Sequence, residues 1–102
     1  MLFIIYCGRS IPQTKKVVSK KEIIRFLTNQ NHLKYWTLID CQGGWVDELT
    51  KLTIIEKSIK LEYYSENEND FQKVKSLAED YKSQFFQDSV LVVVDYKKQI
   101  WI

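Results

Sequence analysis

Proline and glycine are scarce, with one and three residues among 102, so no low-complexity or linker tract competes with a folded reading. Cysteine occurs only at Cys7 and Cys41 and histidine only at His32. Scattered in this way they do not make a metal-ligand set, and no metal centre is expected. No apolar run reaches the length of a membrane span. The opening MLFIIY is ended by Gly8 and Arg9, and it has neither a basic leader nor a small-residue cleavage site. Charge of one sign is lacking too. Fifteen Lys and Arg stand against thirteen Asp and Glu, a net charge of +2, which gives no general attraction to nucleic acid or membrane.

What is present is a chain 45% hydrophobic, large enough for one core and too short for two, so residues 1–102 are expected to form a single domain. The continuously apolar LFIIY predicts a buried strand. Gly8 and Pro12 bracket its exit loop. In SKKEIIRFLTNQN, Ser19 and Glu22 form a capping box, and Ile23, Ile24, Phe26 and Leu27 recur on one face of a helix. Lys20 and Lys21 in the first turn oppose the helix dipole.

Two long antiparallel strands are expected next, from about Lys34 to Val46 and from Leu52 to Tyr64, joined by a turn over 47–51. The paired Gly43 and Gly44 predict a bulge or a close approach that curls this hairpin. Phe71, Val74, Leu77, Ala78, Tyr81 and Phe85 make the stripe of a second helix over 66–86, with Ser65 and Glu68, or Asn67 alone, as its cap. VLVVVDY is a further buried strand, and QIWI extends it beyond a bulge near Lys97 and Lys98 or forms a short extra strand.

The order is β-α-β-β-α-β. The expected fold is therefore α+β and ferredoxin-like, a four-stranded antiparallel sheet with both helices on one face and a long curled central hairpin. The first strand lies beside the third and the fourth. The helix-free face carries Lys60, Glu62, Tyr64 and either Phe3 and Ile5 or their alternates, and a second copy of the chain is the expected cover.

Arg9 is the charge most suited to chemistry, because a guanidinium in a Gly-containing turn can take a carboxylate or phosphate in bidentate geometry; a structural salt bridge is the plainer use. Ser10 caps the loop or assists the same anion. Cys7 and Cys41 read as reduced, partly buried thiols, and Cys7 becomes reactive only if Arg9 lowers its pKa. Asp40 and Glu56 form a carboxylate pair if the hairpin register brings them together, with exposed salt bridges as the alternative. Trp45 and the other aromatics can stack on a ligand, although the strands lack the basic-aromatic pattern of RNA-binding sheets. His32 is expected to be exposed. Basic residues cluster over 15–25 (Lys15, Lys16, Lys20, Lys21 and Arg25), and acids collect over 62–80. CGRS is no phosphate loop, and no cofactor is expected.

YCGRSIP, VSKKEIIRFL, TLIDCQGGW, EKSIKL and YKSQFFQDSVLVV, in this order, give the chain a pattern that resembles a family of small bacterial proteins described only as a domain of unknown function. The family's members often carry a secretion signal or lipoprotein leader. They have an aromatic where Cys7 stands and a tryptophan near Ile24, departures that argue against a thiol mechanism. The resemblance singles out Arg9, Ser10, Asp40, Gly43, Trp45, Glu56 and Ser58 without implying an activity.

The leading functional expectation is a noncatalytic interaction or scaffold domain acting as a homodimer. The alternative is a small-ligand enzyme or sensor whose anion-binding site comprises Arg9, Ser10, Asp40, Trp45 and Glu56. Reduced thiols point to the cytoplasm, whereas removal of a leader would mean a secreted or periplasmic protein.

Overall fold

The computed structural model describes residues 1–102 except Pro12, Gln13 and Lys15, and leaves aside the side chain of Glu68. The expectations for Pro12 in the exit loop, for Lys15 in the basic cluster and for Glu68 in a cap lie outside the described residues. In chain order the elements are β1 (Leu2–Gly8), α1 (Lys20–Asn29), β2 (Thr37–Val46), β3 (Thr53–Tyr64), a 3-10 turn (Glu68–Asp70), α2 (Phe71–Gln84), β4 (Leu91–Val94) and β5 (Lys98–Trp101).

All strands pair antiparallel in one sheet of order β2-β3-β1-β4-β5. This is an α+β, broadly ferredoxin-like fold with both helices on one face. The expected four strands become five, because the end of the chain turns back as β5 instead of prolonging β4. The turn is made by Asp95 and Tyr96, both left-handed with φ of 51° and 58°, and is closed by Lys97 N–H donating to Val94 O at 2.9 Å. Asp95 is held there from both sides. Its carboxylate accepts from Leu2 N–H at 2.6 Å, and its own N–H donates to Leu2 O at 2.8 Å.

Strand alternation decides which side chains meet the helices. Phe3, Ile5 and Cys7 of β1, Ile59, Leu61 and Tyr63 of β3, and Val92 of β4 pack with Ile23 and Leu27 of α1 and Val74, Leu77, Ala78 and Tyr81 of α2. The helix-free face therefore takes the alternates Ile4 and Tyr6. There Tyr6 lies opposite Lys60, and Ile4 opposite Glu62. Phe26 joins the helices by edge contacts to Tyr81 and Phe85, with ring centroids 5.7 and 5.6 Å apart.

α1 begins as expected: Ser19 Oγ accepts from Glu22 N–H at 3.1 Å, and Glu22 returns a bond to Ser19 N–H at 3.3 Å. α2 begins later than expected. Its N-cap Asp70 makes no side-chain cap bond; Asn67 caps the preceding 3-10 turn, its Oδ1 accepting from Asn69 N–H at 2.9 Å, and Ser65 bonds to Asn67 and Asp70 instead of capping. Ser65 Oγ donates to Asp70 Oδ2 and accepts from Asn67 N–H at 3.0 Å. α2 ends with Gln87 N–H donating to Lys82 O at 3.0 Å, a Schellman closure that puts Phe86 in the left-handed position, φ 52°. Glycine usually fills that place, and an L side chain there costs roughly 1 kcal/mol.

β2 starts at Thr37, not Lys34, and its ladder with β3 runs unbroken from Thr37 opposite Glu62 to Val46 opposite Thr53. No bulge forms at the paired glycines. A Cβ on Gly43 would meet Ser58 Oγ at 3.8 Å, an ordinary contact. The real close approach is at Gly8, where a Cβ would stand 2.8 Å from Gln87 Oε1. Beyond the Gly8–Ser58 pair, β2 and β3 continue as a two-stranded arm whose turn is held by Asp47. Among the described residues no helix is long and apolar enough to cross a membrane.

Candidate functional site

The turn after β1 is a short ribbon built around Arg9. Its N–H donates to Lys57 O at 3.1 Å, and its carbonyl accepts from Val18 N–H at 2.7 Å. The side chain is braced as well, Nε donating to Val18 O at 2.9 Å. With Nε used, the two terminal guanidinium nitrogens have no hydrogen-bond partner among the described residues and can take an anion. Around them Lys20, Asp40, Cys41, Gln42, Lys57 and Ser58 line a pocket of about 430 Å³, within the usual range of small-ligand sites.

Lys20 belongs to this pocket for a reason its sequence position conceals. An ammonium in the first turn of α1 is unfavourable to the helix dipole, yet here it bonds Asp40 Oδ2 at 2.5 Å. That hydrogen bond, with the charges of Lys20 and Arg9, holds the Asp40 carboxyl below its ordinary pKa despite some desolvation. The pocket thus has Arg9, Lys20 and Lys57 around a single ionised carboxylate. Lys57 was also missed, since along a strand it reads as one more exposed lysine. An unfavourable charge at a helix start was the available signal for Lys20.

Of the residues expected at the site, Arg9 and Asp40 share the pocket and the others stand elsewhere. Asp40 pairs with Ile59, whereas Glu56 pairs with Gly43; the odd offset along β3 puts the two carboxylates on opposite faces. They do not form a pair. Trp45 lies opposite Ile54 on the arm. Ser10 bridges to Val17, and its carbonyl accepts from Gln87 Nε2 at 3.0 Å, so it ties the turn to the end of α2.

Neither thiol is activated. Burial foremost, with Cys41 nearby, pushes Cys7 far up from its ordinary pKa, and its Sγ lies 3.9 Å from Ile5 O. Desolvation also raises Cys41 against the opposing charge of Lys60. Both cysteines are free. His32 is not simply exposed: its Nε2 lies 2.7 Å from Asp80 Oδ2, linking the loop after α1 to α2. Among the described residues no group of three or more His, Cys, Asp or Glu is placed to hold a metal ion.

Residues 4–100 match the model of a family described as "Protein of unknown function (DUF3574)", and the chain belongs to that family, as the resemblance of YCGRSIP and the later motifs implied. No curated protein matches the chain. Among solved structures, a phage SAM lyase in complex with S-methyl-5'-thioadenosine is similar over 99% of this chain and 87% of its own, with TM-score 0.72 and 18% identity. The same phage lyase in its apo state covers 99% and 86%, with TM-score 0.73 and 16% identity. At this identity the likeness is one of fold. It nevertheless corrects the expectation of a noncatalytic scaffold, because the fold shared over nearly the whole chain is one that the phage lyase uses with a bound small molecule.

Proposed function

We propose that this member of the DUF3574 family is a small-ligand enzyme or sensor that takes an anionic group of its ligand at Arg9. The observation that carries this reading is the convergence of Arg9, Lys20 and Lys57 on one pocket with Asp40 among them. A guanidinium already oriented through Nε loses little freedom when its terminal nitrogens bind a carboxylate or phosphate. Asp40 gives the same pocket an acceptor for a positive group, once Lys20 turns to the ligand's anion. A small molecule carrying both signs suits such a site. The neighbouring fold's ligand, S-methyl-5'-thioadenosine, supports a nucleoside-like body for it. Ser10 serves by holding the turn, and Trp45 and Glu56 take no part.

The test is titration calorimetry with S-adenosylmethionine, S-methyl-5'-thioadenosine and inorganic phosphate, with chromatography of the first mixture for products. Binding of S-adenosylmethionine and phosphate, the probes with an anionic group, is expected to weaken by roughly tenfold or more in Arg9→Ala, as loss of a charge-assisted pair requires, while S-methyl-5'-thioadenosine, which has none, should bind nearly as it does to the parent. Arg9→Lys should fall between. Product formation makes the protein an enzyme; binding without turnover makes it a sensor. If neither anionic probe binds, or Arg9→Ala binds both as the parent does, the reading fails.

A further inference from the structure

A second cavity, sharing no lining residue with the Arg9 pocket, lies between α2 and β5. It measures about 980 Å³, with Phe71, Ile100 and Ile102 among its apolar lining and Phe86 and Trp101 at its rim. Phe86 is 63% exposed and Trp101 65%. The charged side chains of the lining are mostly cationic, Lys75, Lys82 and Lys98 against Glu79, with Ser83 and Gln87 as its neutral polar members. Glu79 lies 3.9 Å from Lys75, and Lys82 Nζ donates to Ile102 O at 3.4 Å. Lys98 has no ion pair among the described residues. An apolar lining edged by excess positive charge complements a molecule with an apolar body and an anionic head.

Phe86 gives an independent reason to read this groove as a site. It occupies the left-handed closing position of α2, φ 52°, where glycine is the residue without strain. A bulky aromatic in that conformation is uncommon, and burial does not explain it, because most of its surface meets solvent. Left-handed residues cluster at functional sites; Tyr96, also left-handed and exposed, shows that a tight turn by itself can hold an aromatic so, and what sets Phe86 apart is its place in the cavity lining.

We infer that the groove between α2 and β5 binds a small amphipathic anion, an aryl or acyl chain ending in a carboxylate or sulfonate-like head, with Phe86 covering the apolar body and Lys82 and Lys98 taking the head. This site is separate from the Arg9 pocket and stands or falls independently of it.

The probes are 1-anilinonaphthalene-8-sulfonate and dodecanoate, the latter below its micelle-forming concentration, with dodecyltrimethylammonium as the cationic control. Binding is read from fluorescence and from amide chemical shifts on the full chain. Shifts are expected at Phe71, Phe86 and the β5 amides, with dodecanoate displacing the dye and the cationic control failing to do so. Phe86→Gly separates function from folding. It should raise Tm by roughly 3 to 6 °C through relief of the left-handed strain, yet weaken the dye by roughly tenfold through lost apolar contact. Lys82→Gln with Lys98→Gln should weaken it about fivefold; because Lys82 also bonds Ile102 O from the last turn of α2, Lys98→Gln alone is the variant expected to leave Tm unchanged.

The inference is overturned if Phe86→Gly binds as the parent does or melts lower, or if the cation competes as well as dodecanoate. It is also overturned by shifts confined to the hairpin arm or the helix-free face. Binding only to dioleoylphosphatidylglycerol vesicles would replace the small ligand with a membrane surface. Slowed β5 amide exchange with an acidic peptide, but no response to dodecanoate, would replace it with an added strand.

Discussion

β3 lives in two environments. From Ile59 to Tyr63 its inward side chains are buried beneath the helices, whereas Ile55 on the same strand is 68% exposed. The arm also exposes Trp45, Val46, Leu49 and Leu52, with Leu49 at 94%. Apolar residues thin out along the inward face, from Ile59, Leu61 and Tyr63 to Lys57, Ile55 and Thr53, but an isoleucine stands in both halves and only its surroundings change. The difference is what lies beside and above it. Where β1 pairs with β3, a third strand and two helices cover the apolar face; past Ser58 the ladder has only β2. A two-stranded ribbon is marginal in water on its own, so the arm depends on the body for its stability.

Truncation gives the largest expected contrast. Leu61→Ala should cost about 2 to 5 kcal/mol through the cavity it leaves, and Ile55→Ala less than about 0.5 kcal/mol, as for a surface site. Urea denaturation of both variants measures it. Should Ile55→Ala prove as costly as Leu61→Ala, the arm is covered in solution and the comparison breaks.

A smaller contrast comes from the two polar anchors. Ser19→Ala removes the cap of α1 and should lower global stability by about 1 kcal/mol. Asp47 holds the arm's turn, accepting from Leu49 N–H at 2.8 Å and Thr50 N–H at 3.3 Å. Asp47→Ala should speed amide exchange within the arm while leaving the global midpoint in place, because local opening need not engage the core. Equal loss of protection in β1 would show that arm and body unfold as one unit.

The smallest expected effect is acid dependence in the body. Hydrogen bonds from Ser65, then Lys73 and Tyr63, hold Asp70 below its ordinary value of 3.8. A carboxyl with a depressed folded pKa contributes stability above its unfolded value, and that contribution is lost as pH falls through the folded one. Between pH 5 and pH 2, Asp70→Asn should therefore lose less stability than the parent. Parallel curves would mean that this network contributes nothing through charge. Tyr63, pushed up to about 12 chiefly by desolvation with Asp70 adding to it, stays neutral across that range.

Much of the layout was legible in residue patterns. The capping box at Ser19, the apolar stripe of α2, the turn over 47–51 and the run around Val92 are local signals, and each became an element near its expected place. The misreadings share one cause. Gly43 and Gly44 suggested a bulge because glycine permits one, but permission is not a requirement, and the ladder passes through them. Ser65 and Asp70 satisfied each other instead of capping α2, a choice between bonds of similar strength that spacing does not decide. QIWI is no misreading: of the two outcomes open to it the short extra strand forms, because Asp95 finds Leu2 on a strand at the far end of the chain.

The candidate sites divide in the same way. Arg9 and Asp40 were identifiable as charges in suggestive settings, and the register then joined Asp40 to Lys20 while sending Glu56 to the opposite face. The amino-acid order by itself determined the alternation of strands and helices and the apolar faces that bury Phe3, Leu27 and Leu77, since periodicity and caps act over a few residues. Only the tertiary structure decided which distant charges gather at Arg9 and that Phe86 edges a cavity beside β5. Those outcomes depend on register and chain reversal, where many weak contacts between remote segments must be satisfied together.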